Sequence, residues 1–473
     1  MREPYVRKCV LNLRVDQIAS LAHKMATPFT LDLSDPGTGK TPPVCVNQYR
    51  RLTEGKRTIW VQPKSLMAKN ARELQRFTPL VEKDITIIDG TPKQVEAAML
   101  SGAGVFMCGP DRFRKIQQHL PSDVTAIDVD ELHMCFGNHN SARTNSGFYP
   151  AMEKMKEGVF MTGTLINGRL DTAYPAIHAI NPCYYPFGYD EFLGAHAELD
   201  DYGRPFKWHG HERLKNILLR HGYRRTFESI FGPQEVVMRM EWLGMSPKQQ
   251  AIYEEFEREA ILELENFMID GTLPGVATIR ARQIMEHPNF FPDLRDPDNL
   301  PRVDIMPGER PAKLDALEIH FEDHKRLGTP VIVFHPLIAS IKQIAALAES
   351  MGLRTATLYG ETKNRDQLDL AYQRGEIDVL VASPPVASVG YNWQFAGQLE
   401  TDHVIFSGLT YMDSDYVQGY RRAIRQNRSK ALRITVQGYL NTIDTNIMAI
   451  NERKSRDANK VEPTREVLKF LGI

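Results

Sequence analysis

The sequence predicts an α/β fold with two blocks of parallel sheet separated by a mostly helical middle. In the first block, short apolar runs alternate with helix-period stretches from Phe29–Leu33 to Gly158–Met161. The same alternation returns over Pro330–Val436. Between the blocks, Ser246–Asp270 and Gly275–His287 show the 3.6-residue spacing of helices. Strands that alternate with helices are typical of a parallel sheet covered on both faces.

Each block has its own set of predicted elements. The predicted strands of the first block are Phe29–Leu33, Thr58–Gln62, Ile85–Ile88, Gly104–Cys108, Val124–Val129 and Gly158–Met161, with helices over Pro42–Arg51, Leu66–Phe77, Pro92–Leu100 and Asp111–His119. Those of the second block are Pro330–Phe334, Thr355–Tyr359, Asp378–Ala382, His403–Phe406 and Ala431–Val436, with helices over Ile338–Ser350 and Arg365–Gln373. Pro292–Arg310, rich in Pro and Asp, is predicted to be a loop.

Composition limits the classes of function. A chain of 473 residues is too long for one hydrophobic core, which favours two domains. No apolar run approaches a bilayer span, and five scattered cysteines without a CxxC pair indicate neither a disulfide framework nor a zinc cluster. The net charge of −1 gives no global attraction to nucleic acid, so phosphate binding would need local basic patches. Arg421–Arg433 is one candidate, with a solvated surface as its alternative.

A phosphate-binding loop is predicted where the first apolar run ends. The segment Ser34–Thr41 reads Ser-Asp-Pro-Gly-Thr-Gly-Lys-Thr and opens a helical stretch, which is the context that a P-loop requires. In such a loop, glycines let backbone N–H groups face phosphate oxygens, the lysine reaches the outer phosphates and the threonine hydroxyl binds Mg²⁺. Ser34 stands where the motif usually begins with glycine. The predicted nucleotide ligands are Gly37, Thr38, Gly39, Lys40 and Thr41.

An acid pair follows the strand Val124–Val129. An NTPase needs one carboxylate to hold Mg²⁺ and another to orient or deprotonate the attacking water. Asp130 and Glu131 suit these roles in that order. An assignment shifted to Asp128 on Mg²⁺ stays open, because that acid stands where an apolar strand residue is expected. The alternative without catalysis is a strand that ends in a solvated acidic turn.

These segments resemble the superfamily-two helicases, specifically the Swi/Snf-type ATPases. Asp130–His133 resembles the DExH box, and Leu13–Gln17 is similar to the adenine-reading segment. Gln62–Leu66, followed by Glu73–Phe77, resembles the first nucleic-acid-contact motif. Met161–Gly168 resembles the TGT-plus-Asn coupling motif. The resemblance continues in the same order through the second block.

The later segments match the second half of that family. Ile279–Pro288 resembles the RLRQ…HP signature, and Lys313–Leu314 falls where the second lobe normally starts. Ser388–Trp393 resembles motif V but departs from its double-glycine form. Gln418–Gln426 resembles the last motif, with Gln418, Arg422 and Arg425 at its key positions.

The resemblance, which spans about residues 13–455, implies a fold and a set of functional residues. The fold is two RecA-like lobes, 1–235 and 236–473, with helical protrusions over about 168–231 and 246–300. ATP and Mg²⁺ are the implied cofactors. The implied catalytic residues are Lys40, Asp130, Glu131 and the arginine fingers Arg422 and Arg425. Gln17 and Gln418 are implied nucleotide contacts; His133, Thr162, Gly163, Thr164, Gly390 and Asn392 are implied coupling residues; Lys64, Ser65, Thr164, Asn167, Ser388 and Trp393 are implied nucleic-acid contacts.

The resemblance further implies a DNA-dependent ATPase that translocates on double-stranded or branched DNA, in replication, recombination or repair. Lys460–Ile473 is a short remainder, so we expect a minimal, monomeric motor in the cytoplasm of a bacterial or phage-infected cell. An RNA helicase or polymerase-recycling ATPase of the same superfamily stays open. A non-hydrolysing scaffold that binds branched DNA is the alternative from another class. Tyr391 and Trp393 either stack on nucleic acid or pack at the sheet edge.

Overall fold

The computed structural model describes residues 8–166, 169–259, 261–264, 267–270, 274–292, 302–387, 390–424 and 428–461. These residues form two compact units. The first contains 8–233 and 454–461, and the second lies within 234–453. The C-terminal helix Ile443–Val461 begins in the second unit and ends in the first. In these ranges, no helix has both the length and the apolar character needed to cross a bilayer.

The first unit is built on a seven-stranded parallel sheet. The seven strands of the sheet and the two of a separate hairpin are, in chain order, β1 (Phe29–Asp32), β2 (Arg57–Val61), β3 (Ile85–Ile87), β4 (Val105–Cys108), β5 (Val124–Val129), β6 (Glu157–Met161), β7 (Ala197–Leu199), β8 (Pro205–Trp208) and β9 (Gly222–Tyr223). The order across the sheet is β3-β4-β2-β5-β6-β1-β9, and β7 pairs separately with β8 in an antiparallel hairpin. All six strands predicted for the first block are present, each within one residue of its predicted bounds. The pattern did not predict β9.

Helices cover both faces of this sheet. They are Val15–Ala26, Thr41–Thr53, Lys64–Phe77, Pro92–Met99, Pro110–Ile116, Leu132–Phe136, Tyr149–Met152, Tyr174–Ile180, Tyr189–His196, His211–His221 and Phe227–Phe231. Alternate strand residues enter different clusters: Ile59 and Val61 pack on one face, whereas Trp60 packs on the other with Val44 of helix Thr41–Thr53. Two-sided burial explains why these strands appear in the sequence as nearly continuous apolar runs. The described part of the predicted protrusion, 169–231, contains short helices, the β7–β8 hairpin and β9.

The second unit is built on a six-stranded parallel sheet. Its strands, with those of three small ladders, are β10 (Val236–Leu243), β11 (Ile261–Leu264), β12 (Phe267–Asp270), β13 (Phe291–Pro292), β14 (Arg302–Val303), β15 (Val331–Phe334), β16 (Thr355–Leu358), β17 (Val379–Ala382), β18 (Phe395–Ala396), β19 (Leu399–Glu400), β20 (His403–Phe406) and β21 (Leu432–Tyr439). The order across the main sheet is β10-β21-β20-β15-β17-β16. The five predicted strands are all present, and β10 is an additional edge strand that pairs with β21 along its full length. The prediction of two parallel-sheet lobes is confirmed.

The helical middle differs from its prediction. The helices of the second unit are Pro247–Glu259, Pro274–Glu286, Ala312–Leu327, Ile338–Ser350, Arg365–Gln373, Pro384–Ala387, Asp413–Tyr420 and the start of Ile443–Val461. The first of them ends at Glu259, and the described residues that follow it in the predicted helix Ser246–Asp270 form the antiparallel pair β11–β12. β-Branched and aromatic residues in 261–270 favour strand over helix. Within the predicted loop Pro292–Arg310, β13 and β14 form a short ladder.

Candidate functional site

The candidate nucleotide site of the first unit lies at the carboxyl ends of three adjacent strands. The phosphate loop follows β1, Thr162–Thr164 follow β6, and the acid pair follows β5. The strand order β5-β6-β1 therefore gathers segments that are far apart in the sequence. Ligands of open parallel sheets bind at this edge.

The phosphate loop turns through two glycines. Gly37 and Gly39 have φ of 83° and 77°, a conformation that other residues rarely adopt. Lys40 Nζ donates to the backbone oxygen of Ser34 at 2.6 Å, and Thr41 is the first residue of helix Thr41–Thr53. The loop therefore has the glycine turns and the helix N-terminus that bind phosphate.

The serine that replaces the leading glycine has a role of its own. Ser34 Oγ accepts a hydrogen bond from the backbone N–H of Arg225 at 3.1 Å. Its φ is not among the positive values of the described chain, so the position does not require glycine. The departure from the motif therefore leaves the turn intact and adds a side-chain contact.

Gln17 and Arg14 contact the far end of the phosphate loop. The Gln17 Nε2 donates to the Gly39 oxygen at 3.1 Å, and Arg14 Nη2 donates to the Thr38 oxygen at 2.7 Å. A Cβ on Gly39 would lie 2.7 Å from Gln17 Nε2, so a larger residue there would displace the Gln17 amide, and the positive φ of Gly39 also favours glycine. Gln17 thus lies against the nucleotide loop; its contact with adenine stays a prediction.

The acid pair is enclosed and strained. Asp130 Oδ2 accepts a hydrogen bond from Asn70 Nδ2 at 3.1 Å, and Glu131 has a left-handed φ of 49°. Strained backbone of this kind in a non-glycine residue often occurs at functional sites. Burial, with the neighbouring Glu131 charge, raises the pKa of Asp130 to about 6. A cation bound beside this pair would offset both effects. Asn70 had no signal in the sequence.

Asp128 binds side chains of the helix that follows the phosphate loop. Its two carboxylate oxygens accept hydrogen bonds from Arg51 Nη1 at 2.9 Å, and Gln48 Nε2 and the Val159 N–H add two more at 2.7 and 2.9 Å. Arg51 and Gln48 lie on helix Thr41–Thr53, which packs on the sheet face opposite to that of Val129. The acid inside β5 thus anchors the phosphate-loop helix, and the geometry favours Asp130 as the Mg²⁺ ligand.

The predicted coupling residues of the first unit form one chain of contacts. His133 Nδ1 lies 2.9 Å from Thr162 Oγ1 and 3.7 Å from Glu131 Oε2. The Thr164 N–H donates to Thr162 Oγ1 at 3.0 Å. A Cβ on Gly163 would lie 2.9 Å from Pro36 Cδ, so the TGT segment packs directly against the phosphate loop. These contacts join the acid pair to both neighbouring loops.

A buried ion pair supports the start of the phosphate loop. Lys24 Nζ contacts Asp32 Oδ2 at 2.5 Å, both side chains are fully buried, and Asp32 Oδ1 accepts from the Ser34 N–H at 3.1 Å. Burial alone would raise the pKa of Asp32, but the positive charges of Lys24 and Lys40 outweigh it and hold the pKa at about 2. Asp32 therefore carries a charge that depends on Lys24.

Replacing Lys24 with methionine is expected to lower the free energy of unfolding by about 3–5 kcal/mol. Removing one partner of a buried pair leaves an uncompensated charge, which is far more costly than losing the pair as a whole. Urea denaturation of Lys24→Met measures the loss. The double variant Lys24→Met/Asp32→Leu should recover most of it, and a single-variant loss below about 1 kcal/mol would contradict the assignment.

The predicted second-unit residues are only partly described. Arg425 and Ser388 lie outside the described residues, as does Asn167 of the first unit. Arg422 and Gln418 are nearly buried at 6% and 5% exposure, near the end of helix Asp413–Tyr420. Gly390 has a φ of 81°, and Asn392 is exposed. Arg422 is held at its backbone, where its oxygen accepts the Trp393 N–H at 2.8 Å.

Trp393 and Arg428, two candidate contacts for nucleic acid, have their hydrogen-bond partners inside the second unit. Trp393 is fully buried, stacks on Tyr391 with ring centroids 4.9 Å apart and donates its indole N–H to Asp369, so it packs inside the second unit. Arg428 donates to the backbone oxygens of Ala423 and Thr401 at 2.6 and 2.9 Å. It therefore supports the backbone and does not present a surface charge. Arg421 is also buried.

Lys64 and Ser65 are exposed, as a contact with nucleic acid requires. Lys64 Nζ pairs with Asp89 at 2.8 Å, and both side chains are largely in solvent. A surface pair of this kind contributes little to stability and is easily exchanged for a phosphate. The role of both residues stays a prediction.

The RLRQ…HP-like segment contributes to a buried network in the second unit. Glu286 pairs with Lys313 Nζ at 2.6 Å and with His335 Nε2 at 3.2 Å, and Lys313 also contacts Asp444 at 3.2 Å. Arg282 donates to the backbone oxygen of Leu409. The segment therefore contacts helix Ala312–Leu327, the residue that follows β15 and the loop before helix Asp413–Tyr420.

The donors of the first unit suit MgATP. Mg²⁺ is usually held by one or two protein oxygens together with substrate phosphates and water. Thr41 and Asp130 could hold the cation, and Lys40 with the N–H groups of the loop could hold the phosphates. Bound Mg²⁺ would neutralise phosphate charge and thereby favour attack by water.

Comparison with known proteins gives likenesses of fold. No protein-family model matches the chain, and no curated protein sequence matches it either. Among solved structures, the Hef helicase domain of Pyrococcus furiosus is 16% identical, with a TM-score of 0.52 over 93% of this chain and 98% of that one. The Sulfolobus solfataricus SWI2/SNF2 ATPase core in complex with dsDNA is 18% identical, with a TM-score of 0.42 over 96% and 95%. The chain therefore shares the fold of that helicase domain, with two parallel sheets.

Proposed function

We propose that this protein is an ATP-hydrolysing motor that moves along nucleic acid, and that its track is duplex or branched DNA. The observation that carries the proposal is the convergence of phosphate loop, acid pair and TGT segment at three adjacent strand ends of a helicase-type fold. Kinases and transporters share the loop alone, whereas this combination is typical of helicase motors. The preference for duplex DNA is supported by the Swi/Snf-type motifs.

In the proposed mechanism, Lys40, Thr41 and Asp130 bind MgATP, and Glu131 orients or deprotonates the attacking water. Arg422 and Arg425 of the second lobe stabilise the charge that develops on the transferred phosphoryl group. Hydrolysis needs residues of both lobes. Nucleic acid that binds more tightly to the state in which both sets act on ATP therefore increases the population of that state and stimulates hydrolysis. The track is held through its phosphates, so binding weakens with salt and depends little on sequence.

The test compares ATP turnover with duplex DNA, single-stranded DNA, forked DNA and RNA. We expect the largest stimulation with duplex or forked DNA, and turnover at background in Lys40→Ala under every condition. Stimulation by RNA alone would identify an RNA-directed helicase instead. Wild-type protein that binds DNA but hydrolyses no ATP on any of the four would be a scaffold.

A further inference from the structure

The segment Tyr223–Phe227 runs alongside the phosphate loop. It continues from β9, which pairs with β1 in parallel at the edge of the first sheet. Beyond the two strands, the Leu33 N–H donates to the Tyr223 oxygen at 2.8 Å and the Asp35 N–H to the Arg225 oxygen at 2.9 Å. With the Ser34 contact described above, consecutive loop residues are hydrogen-bonded to this segment.

Asp35 is the residue through which the segment reaches the loop most directly. Its Oδ1 accepts from Arg224 Nη2 at 3.1 Å and its Oδ2 from the Phe227 N–H at 3.0 Å. The Asp35 backbone oxygen accepts from Thr38 Oγ1 at 2.7 Å, inside the loop. One buried residue therefore joins the segment on one side to the glycine turns on the other.

A second route reaches the far end of the same loop. The Arg225 guanidinium, only 7% exposed, pairs with Asp16. Asp16 also pairs with Arg14 at 3.0 Å. Arg14 and the adjacent Gln17 contact the Thr38 and Gly39 oxygens, as described above. The loop is thus held at both ends by residues that meet at Arg225.

The segment also lies where the chain passes to the second unit. Helix Phe227–Phe231 follows it, and the second unit begins at Gln234. The Phe227 ring is fully buried and packs on Phe231 with centroids 4.6 Å apart. The segment is therefore bounded by this packing at its end and by the pairing of β9 at its start.

We propose that Tyr223–Phe227 is a positioning element of the nucleotide site. It holds the phosphate loop in its nucleotide-binding conformation through Asp35, and it holds Gln17 against the loop through Arg225 and Asp16. The proposal rests on the proposed function, in that the loop must bind ATP. None of these residues touches the reacting atoms, and their effect is on affinity for nucleotide.

The test measures binding of Mg²⁺ with a non-hydrolysable ATP analogue by calorimetry, alongside thermal unfolding. Asp35→Ala loses both side-chain hydrogen bonds, so we expect the Kd to rise about tenfold or more. One hydrogen bond to a charged group contributes a free energy that corresponds to about a tenfold change in Kd. Asp35→Asn keeps an acceptor for the Phe227 N–H but loses its charge toward Arg224, so its Kd should be intermediate. When the rate of hydrolysis is measured as a function of ATP concentration, kcat should change much less than the KM for ATP.

Asp111→Ala is the control for the loss of an aspartate–arginine pair, since Asp111, which is more exposed than Asp35, pairs with Arg143 at 2.7 Å in the same unit. Its Kd should equal that of the wild type. The double variant Asp35→Ala/Arg224→Ala should bind no more weakly than Asp35→Ala, because both substitutions remove the same contact between Asp35 and Arg224.

An unchanged Kd in folded Asp35→Ala, or in Asp35→Asn if the alanine variant does not fold, would overturn the positioning role. Failure of the wild type to bind the analogue would instead contradict the proposed function.

Discussion

Replacing Arg422 with alanine is expected to lower nucleic-acid-stimulated ATP turnover by about a thousandfold or more. An arginine finger offsets the negative charge that builds up on the transferred phosphoryl group, and no other cationic side chain reproduces its planar, forked donors. The loss should appear in kcat, with little change in the KM for ATP, because the contact strengthens in the transition state. Arg422→Lys should recover little of it.

The comparison variant for Arg422 is its neighbour Arg421. Both side chains are nearly buried, at 6% and 4% exposure, so their removal should cost similar amounts of stability. Only Arg422 matches a finger position of the motif. A kcat for Arg421→Ala as low as that of Arg422→Ala would mean that both act through packing, and thermal unfolding of the two variants would show it.

The strands of both sheets were predictable because a strand that is buried on both faces consists of a short run of apolar residues. Where burial is one-sided or an element is very short, the signal is weaker. In the edge strand β10, the apolar residues Met238, Met240 and Trp242 alternate with Arg239 and Glu241. This period of two is typical of a strand that is buried on one face. β9 has two residues and no pattern of its own. Its identity depends on pairing with β1, which sequence alone does not show.

The candidate site was predictable where chemistry is local. A glycine-rich loop, a DExH-like run and a TGT segment each carry their signal in a few adjacent residues. Contacts between distant segments left no such signal. Asp128 interrupts an apolar strand because Arg51 and Gln48 lie against it in the fold. Asp32 interrupts another because Lys24 pairs with it. The role of Trp393 was ambiguous for the same reason. Whether an aromatic residue beside a functional motif packs in the core or stacks on nucleic acid depends on residues that are distant in the sequence and close only in the fold.

Replacing Glu131 with glutamine is expected to lower kcat by about 10²–10⁴-fold while leaving MgATP binding close to that of the wild type. Glutamine keeps the shape of the side chain but cannot accept a proton from water, and general-base catalysis contributes about that factor. Stopped-flow measurement of the hydrolysis step with duplex DNA, together with binding of MgATP, separates the two effects. The variant should therefore remain bound to ATP in an unhydrolysed state.

Asp130→Asn and Asp128→Asn complete the comparison, because they separate metal binding from support of the fold. Asp130→Asn should weaken the dependence of ATP binding on Mg²⁺, since a neutral amide is a poorer ligand for a hard cation. Asp128→Asn should instead lower the free energy of unfolding, because Arg51 loses its buried partner. If Asp128→Asn abolished the Mg²⁺ dependence while Asp130→Asn retained it, the two acids would have to exchange roles. Glu131, which is three positions after Asp128 and next to Asp130, would then need a different path to the attacking water.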